Sequence, residues 1–207
     1  RLSPDVEVVD VGKDPTNHPV PQEQINAILV DRARRGLTVV RLKGGDPYVF
    51  GRGGEEVHAC RAAGVDVTVV PGITSAFSVP ALAGIPVTQR GVATSVHVTS
   101  GHAGADAASL AALVAGSTLV VLMGVSALAE ICAAALEQGL DGGLPVAIIE
   151  QGSTAAQRVT HATLSTAGDV AQHVGMRSPA VIVIGRVAAL DFLDDPVCRT
   201  TSAADGE

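Results

Sequence analysis

The 207-residue chain carries a formal net charge of −7, and 47% of its residues are hydrophobic but only 2% are aromatic. Its core must therefore be built from Ala, Val, Leu and Ile, which is typical of a parallel sheet covered by helices. The negative charge argues against broad nucleic-acid binding, which needs a basic face. No apolar run has the length of a membrane span, so we expect a soluble protein without nucleic-acid or membrane partners.

Cysteine and histidine spacing indicates neither disulfides nor a metal site. Cys60, Cys132 and Cys198 are far apart and form no Cys-x-x-Cys pair, which fits reduced thiols in the cytoplasm. His97 and His102 straddle a predicted strand end and a Ser-Gly turn, so the ligand spacing of a helix does not apply to them. We expect a cytoplasmic protein without a bound metal.

Predicted strands and helices alternate through the first half of the chain. A helix begins at Pro21 and is closed by Gly36, and further helices are predicted at residues 55–63 and 75–82. The intervening strands are predicted at residues 6–11, 38–42 and 65–70. This alternation predicts βαβ units and a mostly parallel sheet.

The second half repeats the alternation after a segment that contains two glycines and a proline. Helices are predicted at residues 109–114 and 126–138, and strands at residues 95–99, 118–123, 146–150, 157–163 and 181–185. The connection between the third and fourth of these strands is too short for a helical crossover, so part of this sheet should be antiparallel. The sequence thus predicts an α/β protein with two α/β domains, at residues 1–85 and 92–190. A linker at residues 86–91 joins them, and residues 191–207 form a tail.

The most informative segment is the loop that follows the predicted strand at residues 38–42. It contains five glycines within eleven residues and precedes a predicted helix, so it lies where open α/β sheets bind ligands. No Gly-Lys-Ser/Thr follows, and Glu56 stands where a G-x-G-x-x-G motif needs its last glycine. Five glycines favour a ligand loop over a simple turn.

Residues 43–56 closely resemble the signature of the uroporphyrinogen-III C-methyltransferases, within the larger class of tetrapyrrole methylases that use S-adenosylmethionine. Other segments resemble the same family in the same order: 11–13, 20–26, 70–76, 83–90, 122–124 and 184–186. Compared with the family, the sequence lacks the first strand, the glycine-rich turn after it and a Tyr-Asp segment, all of which would precede Arg1.

The resemblance implies a set of cofactor-binding residues on the loops that follow strands. These are Gly44, Gly45, Asp46, Val49, Thr74, Ser75, Met123 and Gly152. Without the resemblance, N-capping of a helix would explain Thr74 and Ser75 equally well. Met123 alone would be interpreted as a core residue, and Gly152 as a turn glycine.

Three basic residues are candidates for contact with the substrate or for catalysis. Arg41 and Arg52 flank the glycine loop, and a guanidinium group binds the carboxylates of an anionic tetrapyrrole bidentately. The resemblance implies that Lys13 is a proton donor beside the tetrapyrrole, although the pattern alone favours a solvated lysine. The family's candidate general base is the aspartate of the Tyr-Asp segment, so no residue here is assigned that role.

The resemblance implies methyl transfer from S-adenosyl-L-methionine to ring carbons of uroporphyrinogen III, giving precorrin-2 for sirohaem and cobalamin synthesis and S-adenosyl-L-homocysteine as by-product. It also implies a homodimer with a cleft between two domains. Two alternatives remain. One is a related methylase that acts on a later corrin intermediate. The other is a fragment that binds the cofactor or a partner subunit without turnover.

Overall fold

A computed structural model of the chain describes residue 3 and residues 6–12 and 20–193. The chain divides into two compact units, one ending at Gly72 and one beginning at Ile73. The segment predicted to be a linker, residues 86–91, falls in the second unit by this division. The domain boundaries drawn from the sequence stay a prediction. Most of the predicted tail lies outside the described residues.

Two helices form the core of the first unit. They are α1 (Gln22–Arg34) and α2 (Gly53–Ala62), and they confirm the helices predicted there. Pro21 precedes α1 with φ −57°, and Gly36 follows its last turn with φ +81°, a conformation that glycine adopts without steric cost. Ile25 and Leu29 of α1 are buried together with Cys60 of α2.

The strands predicted at residues 6–11, 38–42 and 65–70 are wrong, because the described residues of the first unit contain no strand. Their β-branched side chains suit a pleated surface, but a strand exists only through hydrogen bonds to a neighbouring strand. Without that pairing, Val40 and Leu42 are 82% and 84% exposed. Glu7 and Arg41 in these segments make side-chain hydrogen bonds instead, such as that from Arg32 Nη2 to Glu7 Oε1 at 2.9 Å. Val65 and Val67 pack against the apolar cluster of α1 and α2.

The second unit is built on a mixed five-stranded sheet, as predicted for the second half. Its strands are β1 (Val96–Ser100), β2 (Thr118–Leu122), β3 (Pro145–Glu150), β4 (Arg158–Thr163) and β5 (Ala180–Ile184), in the order β1-β2-β5-β3-β4. β1 and β2 are parallel, while β5 is antiparallel to both β2 and β3. The carboxyl ends of β1, β2 and β3 therefore lie at one edge of the sheet.

Four α-helices accompany this sheet: α3 (Ser75–Leu82), α4 (Ala107–Val114), α5 (Leu128–Glu137) and α6 (Ala167–His173). α3 contacts β2 and β5, and α4 contacts β1 and β2. Every residue of β2 is buried, which explains why residues 119–122 are continuously apolar rather than alternating. α6 was not predicted, because it is only seven residues long and contains Gly168 and Val170. No helix in the described ranges is long and apolar enough to cross a membrane.

We expect Ile182→Ala in the central strand β5 to lower the free energy of unfolding by about 2–5 kcal/mol. Ile182 is fully buried in the apolar cluster between the sheet and the helices, so truncation leaves a cavity. Urea unfolding measures the change, and Val114→Ala, at a 62% exposed position, is the matched control. Equal losses in the two variants would contradict this account of the core.

Candidate functional site

The carboxylate of Asp46 links the glycine loop to a second segment of the first unit. Its Oδ1 accepts a hydrogen bond from the Tyr48 amide at 2.9 Å, and its Oδ2 accepts one from the Gly72 amide at 3.1 Å. The bond from Tyr48, followed by that from Gly72, holds the pKa of Asp46 below its usual value. Asp46 is therefore an ionised brace that fixes the course of the loop.

The glycines around this brace have two different roles. A side chain at Gly72 would collide with the carbonyl oxygen of Gly45, and one at Gly53 would lie 2.5 Å from the Pro47 carbonyl oxygen. These positions need glycine because backbone packs against backbone. A Cβ atom at Gly44 would have nothing within 4 Å, so the backbone there is open to an approaching molecule.

Arg52 occupies a strained position directly before α2. Its φ is +57°, and its guanidinium Nε and Nη2 donate to the two carboxylate oxygens of Glu55, both at 2.8 Å. Hydrogen bonding to Glu55 raises the pKa of Arg52, and the same contact lowers the pKa of Glu55. The Arg52 side chain is 48% exposed, so the bidentate arrangement is presented at the surface.

Arg41, the other predicted substrate-binding arginine, is bound within the unit. Its Nε donates to Glu56 Oε1 at 3.3 Å, and its Nη1 donates to the carbonyl oxygen of Leu42 at 2.8 Å. Lys43 reaches both oxygens of the same glutamate at 3.2 Å. Glu56, the common partner of these two cations, was not predicted, because no local pattern in the sequence connects it with residues 41 and 43.

In the second unit, the loops after the parallel strands combine close packing with left-handed backbone. Met123 ends β2 with φ +54°, and Gln151 and Ser153 follow β3 with φ +51° and +67°. Non-glycine residues in this region cost about 1–3 kcal/mol each and are concentrated at binding sites. A side chain at Gly101 would collide with Met123 and Gly124, so the loop after β1 lies against the loop after β2.

The predicted cofactor residues of the second unit occupy this sheet edge and α3. Met123 is 44% exposed, so it is not a core residue. Gly152 lies against α3, because a Cβ atom there would be 2.6 Å from both methyl groups of Val79. Thr74 caps α3, with its Oγ1 accepting from the Ala76 amide at 3.3 Å, and Ser75 is exposed. Val49, in the glycine loop of the first unit, is half-buried.

A buried carboxylate that the sequence analysis missed lies behind the loop after β3. Glu150 is 4% exposed and accepts hydrogen bonds from Arg158 Nε at 2.7 Å and from the Arg177 amide at 2.9 Å. These bonds tie β4 and the segment before β5 to the end of β3. Lys13, the predicted proton donor, lies outside the described residues.

The fold and the loops of the second unit define a class of protein: an α/β protein whose ligand-type loops follow the carboxyl ends of parallel strands. The profile of the Tetrapyrrole (Corrin/Porphyrin) Methylases matches residues 2–168, and the chain belongs to this family.

Individual relatives and a solved structure support the same assignment. The chain is 43% identical over 189 residues to a siroheme synthase of Methylobacillus flagellatus, covering 90% of this chain and 40% of the relative. It is 47% identical over 190 residues to that of Escherichia coli K12, covering 90% and 41%. The chain thus spans about two fifths of the length of these curated relatives.

Among solved structures, the chain resembles the uroporphyrin-III C-methyl transferase of Thermus thermophilus complexed with S-adenyl homocysteine. The TM-score is 0.68 and the sequence identity 40%, with 80% of this chain and 74% of the other covered.

We expect Asp46→Asn to remove a pH-dependent contribution to stability. Because the folded-state pKa of Asp46 is lowered, this contribution is fully present above the ordinary carboxyl pKa of about 3.9 and is lost as the pH falls through the folded-state value. Urea unfolding of both proteins between neutral and acid pH should show a difference that shrinks in that window. Asp66→Asn, at an exposed position of the same unit, controls for the change in net charge. A difference in stability between the wild type and Asp46→Asn that does not change with pH would contradict the lowered pKa of Asp46.

We also expect Gly72→Ala and Gly44→Ala to differ in their effects on stability. The new methyl group at position 72 meets the backbone of Gly45, which cannot move without displacing the loop, whereas at position 44 it meets open space. Overpacking of this kind costs about 1–3 kcal/mol. Thermal unfolding should show a clear loss for Gly72→Ala and little change for Gly44→Ala. The reverse order would show that the described loop geometry is wrong.

Proposed function

We propose that this chain transfers methyl groups from S-adenosyl-L-methionine to ring carbons of uroporphyrinogen III, giving precorrin-2. Membership of the methylase family supports the reaction class. The observation that carries the substrate and the cofactor is the 40% identity to a uroporphyrin-III C-methyl transferase whose structure contains S-adenyl homocysteine. Both curated relatives are named siroheme synthases, which supports a role for this product in sirohaem synthesis. A role in cobalamin synthesis is part of the same proposal.

S-adenosyl-L-methionine would supply a methyl group on a sulfonium: a C–C bond to the substrate carbon forms in line as the C–S bond breaks. S-adenosyl-L-homocysteine then leaves with an uncharged sulfur, and the substrate loses one proton. For its part, the protein must position both reactants and exclude water. In the first unit we assign cofactor binding to Gly44, Gly45, Asp46 and Val49. The open backbone at Gly44 and the fixed position of Asp46 support this assignment.

In the second unit we assign cofactor contacts to Thr74, Ser75, Met123 and Gly152. The left-handed backbone at Met123 supports this assignment, since it turns the chain sharply at the carboxyl end of β2. The side chain of Thr74 is engaged in capping α3, so its contribution to a ligand would come from the helix terminus rather than from its hydroxyl group.

We assign Arg52 and Arg41 to the binding of substrate carboxylates, and Lys13 to the role of proton donor. The half-exposed guanidinium of Arg52 already holds a carboxylate in bidentate geometry, so exchange of Glu55 for a substrate carboxylate needs no new side-chain conformation. Arg41 is less available, because its Nε and Nη1 donors are engaged by Glu56 and Leu42. We therefore rank Arg52 above Arg41 as a contact for the tetrapyrrole.

A homodimer in the cytoplasm is part of the same proposal. There are two alternatives to this proposal. The first is a methylase that acts on a later corrin intermediate, and the second is a fragment that binds cofactor without turnover. The identity to the Thermus enzyme favours the uroporphyrinogen reaction over the first alternative.

The test is methyl transfer by the full-length polypeptide that contains this chain, with methyl-labelled S-adenosylmethionine and uroporphyrinogen III. We expect a labelled product with the mass of precorrin-2. In Asp46→Ala, we expect the dissociation constant of S-adenosylhomocysteine to rise about tenfold, because the loop loses its brace and the cofactor a polar partner.

Asp141→Ala is the matched control, because Asp141 makes a similar local bond to the Gly143 amide at 2.9 Å in an exposed turn. Its affinity for S-adenosylhomocysteine should equal that of the wild type. Binding of the cofactor without any turnover would favour the non-catalytic alternative. Methylation of a later corrin, but not of uroporphyrinogen III, would favour the alternative that the chain is a methylase of a later corrin intermediate.

A further inference from the structure

We propose that Glu56 is a positioning residue for the cofactor loop, an inference that rests on the proposed function of that loop. Glu56 lies in the first turn of α2, and its side chain is 6% exposed. It would act through Arg41 and Lys43, whose backbone leads directly into Gly44. Neither the sequence signature nor the assigned cofactor contacts include this role.

The carboxylate of Glu56 receives hydrogen bonds from three side chains on two other segments. Lys43 Nζ lies 3.2 Å from each oxygen, and Arg41 Nε and Gln22 Nε2 lie 3.3 Å and 3.2 Å from Oε1. Gln22 is the first residue of α1. One buried carboxylate therefore joins both helices of the unit to the segment at residues 41–43.

The hydrogen bonds to Glu56 restrain a segment that has no described strand partner. Residues 38–42 pair with no strand in the described part of the first unit, and Val40 and Leu42 are largely exposed. Among the described residues, neither a backbone ladder nor apolar burial of those two side chains fixes the approach to the glycine loop. The ion pairs to Glu56 supply a restraint immediately before Gly44.

The charges in this cluster are uneven, since two cations share one carboxylate. The Lys43 side chain is 14% exposed and that of Arg41 is 28% exposed. Loss of the Glu56 charge leaves two poorly solvated cations next to each other, and their repulsion drives them apart. Because both belong to the segment that enters the loop, the loop moves with them.

The neighbouring Glu55 has a different environment, although it differs by one position on the same helix. Its side chain is 53% exposed and bonds only to Arg52 among the described contacts. The two adjacent glutamates therefore have different roles. Glu55 faces the surface with Arg52, and Glu56 faces inward and holds the start of the loop.

The experiment measures the dissociation constant of S-adenosylhomocysteine by calorimetry in the full-length polypeptide. Glu56→Gln keeps the shape of the side chain but removes its charge, and we expect about tenfold weaker binding. Lys43→Met, which leaves Arg41 and Gln22 on the glutamate, should weaken binding about threefold. Glu23→Gln, at an exposed position on α1, is the control and should bind as the wild type does.

The double variant Glu56→Gln/Lys43→Met distinguishes positioning from general loss of structure. Removing one cation relieves the repulsion, so the double variant should bind more tightly than Glu56→Gln alone. A merely structural role predicts additive losses, and additive losses would overturn the proposal. Unchanged binding in Glu56→Gln would also overturn it. If Glu56→Gln does not fold, unchanged binding in Lys43→Met overturns it instead. Absence of binding by the wild type would refute the proposed function rather than this inference.

Discussion

A glycine-rich loop can approach a ligand closely only if groups outside its own glycines hold it in place. In this protein that constraint is met by carboxylates. Asp46 fixes the loop to the Gly72 amide, and Glu56 holds the segment that enters it. The same solution recurs in the second unit, where buried Glu150 ties the end of β3 to Arg158 and to the Arg177 amide. The glycine loop and the loop after β3, both part of the proposed cofactor site, thus each have a carboxylate that fixes a neighbouring segment.

The second unit adds a rigid frame to this arrangement. Its mixed sheet places the carboxyl ends of β1, β2 and β3 at one edge, and its central strands β2, β5 and β3 are buried except at Pro145 and Ala180. Such a core gives the loops that follow a fixed starting point. The left-handed residues Met123, Gln151 and Ser153 all lie at this edge, which supports the proposed cofactor site there.

Local patterns in the sequence predicted every described α-helix except α6, with errors of a few residues at their ends. Pro21 and Gly36 bracket α1, and the predicted bounds of α3 are those observed. The antiparallel pairing of β3 and β4 followed from the short connection between them, and it is confirmed. Such features depend on neighbours along the chain, which is why sequence reasoning reaches them.

Features that depend on distant residues were not predicted. The first-unit strands were proposed from β-branched composition, which cannot reveal whether a pairing strand is present. The Glu56 cluster joins residues 22, 41, 43 and 56, and no spacing rule connects them. Arg41 and Arg52 looked equivalent in the sequence, but burial and partners separate them. The cofactor residues themselves came from family resemblance, and their roles stay proposals.

Hydrogen–deuterium exchange with and without S-adenosylhomocysteine tests the central claim most directly, since it locates the ligand on the chain without any substitution. We predict slower exchange at residues 44–51 of the first unit and at residues 100–102, 123–125 and 151–153 of the second. Exchange in β4, the outermost strand beside β3, should not change when the ligand binds. Unchanged exchange in the glycine loop under saturating ligand, with protection elsewhere, would contradict the account.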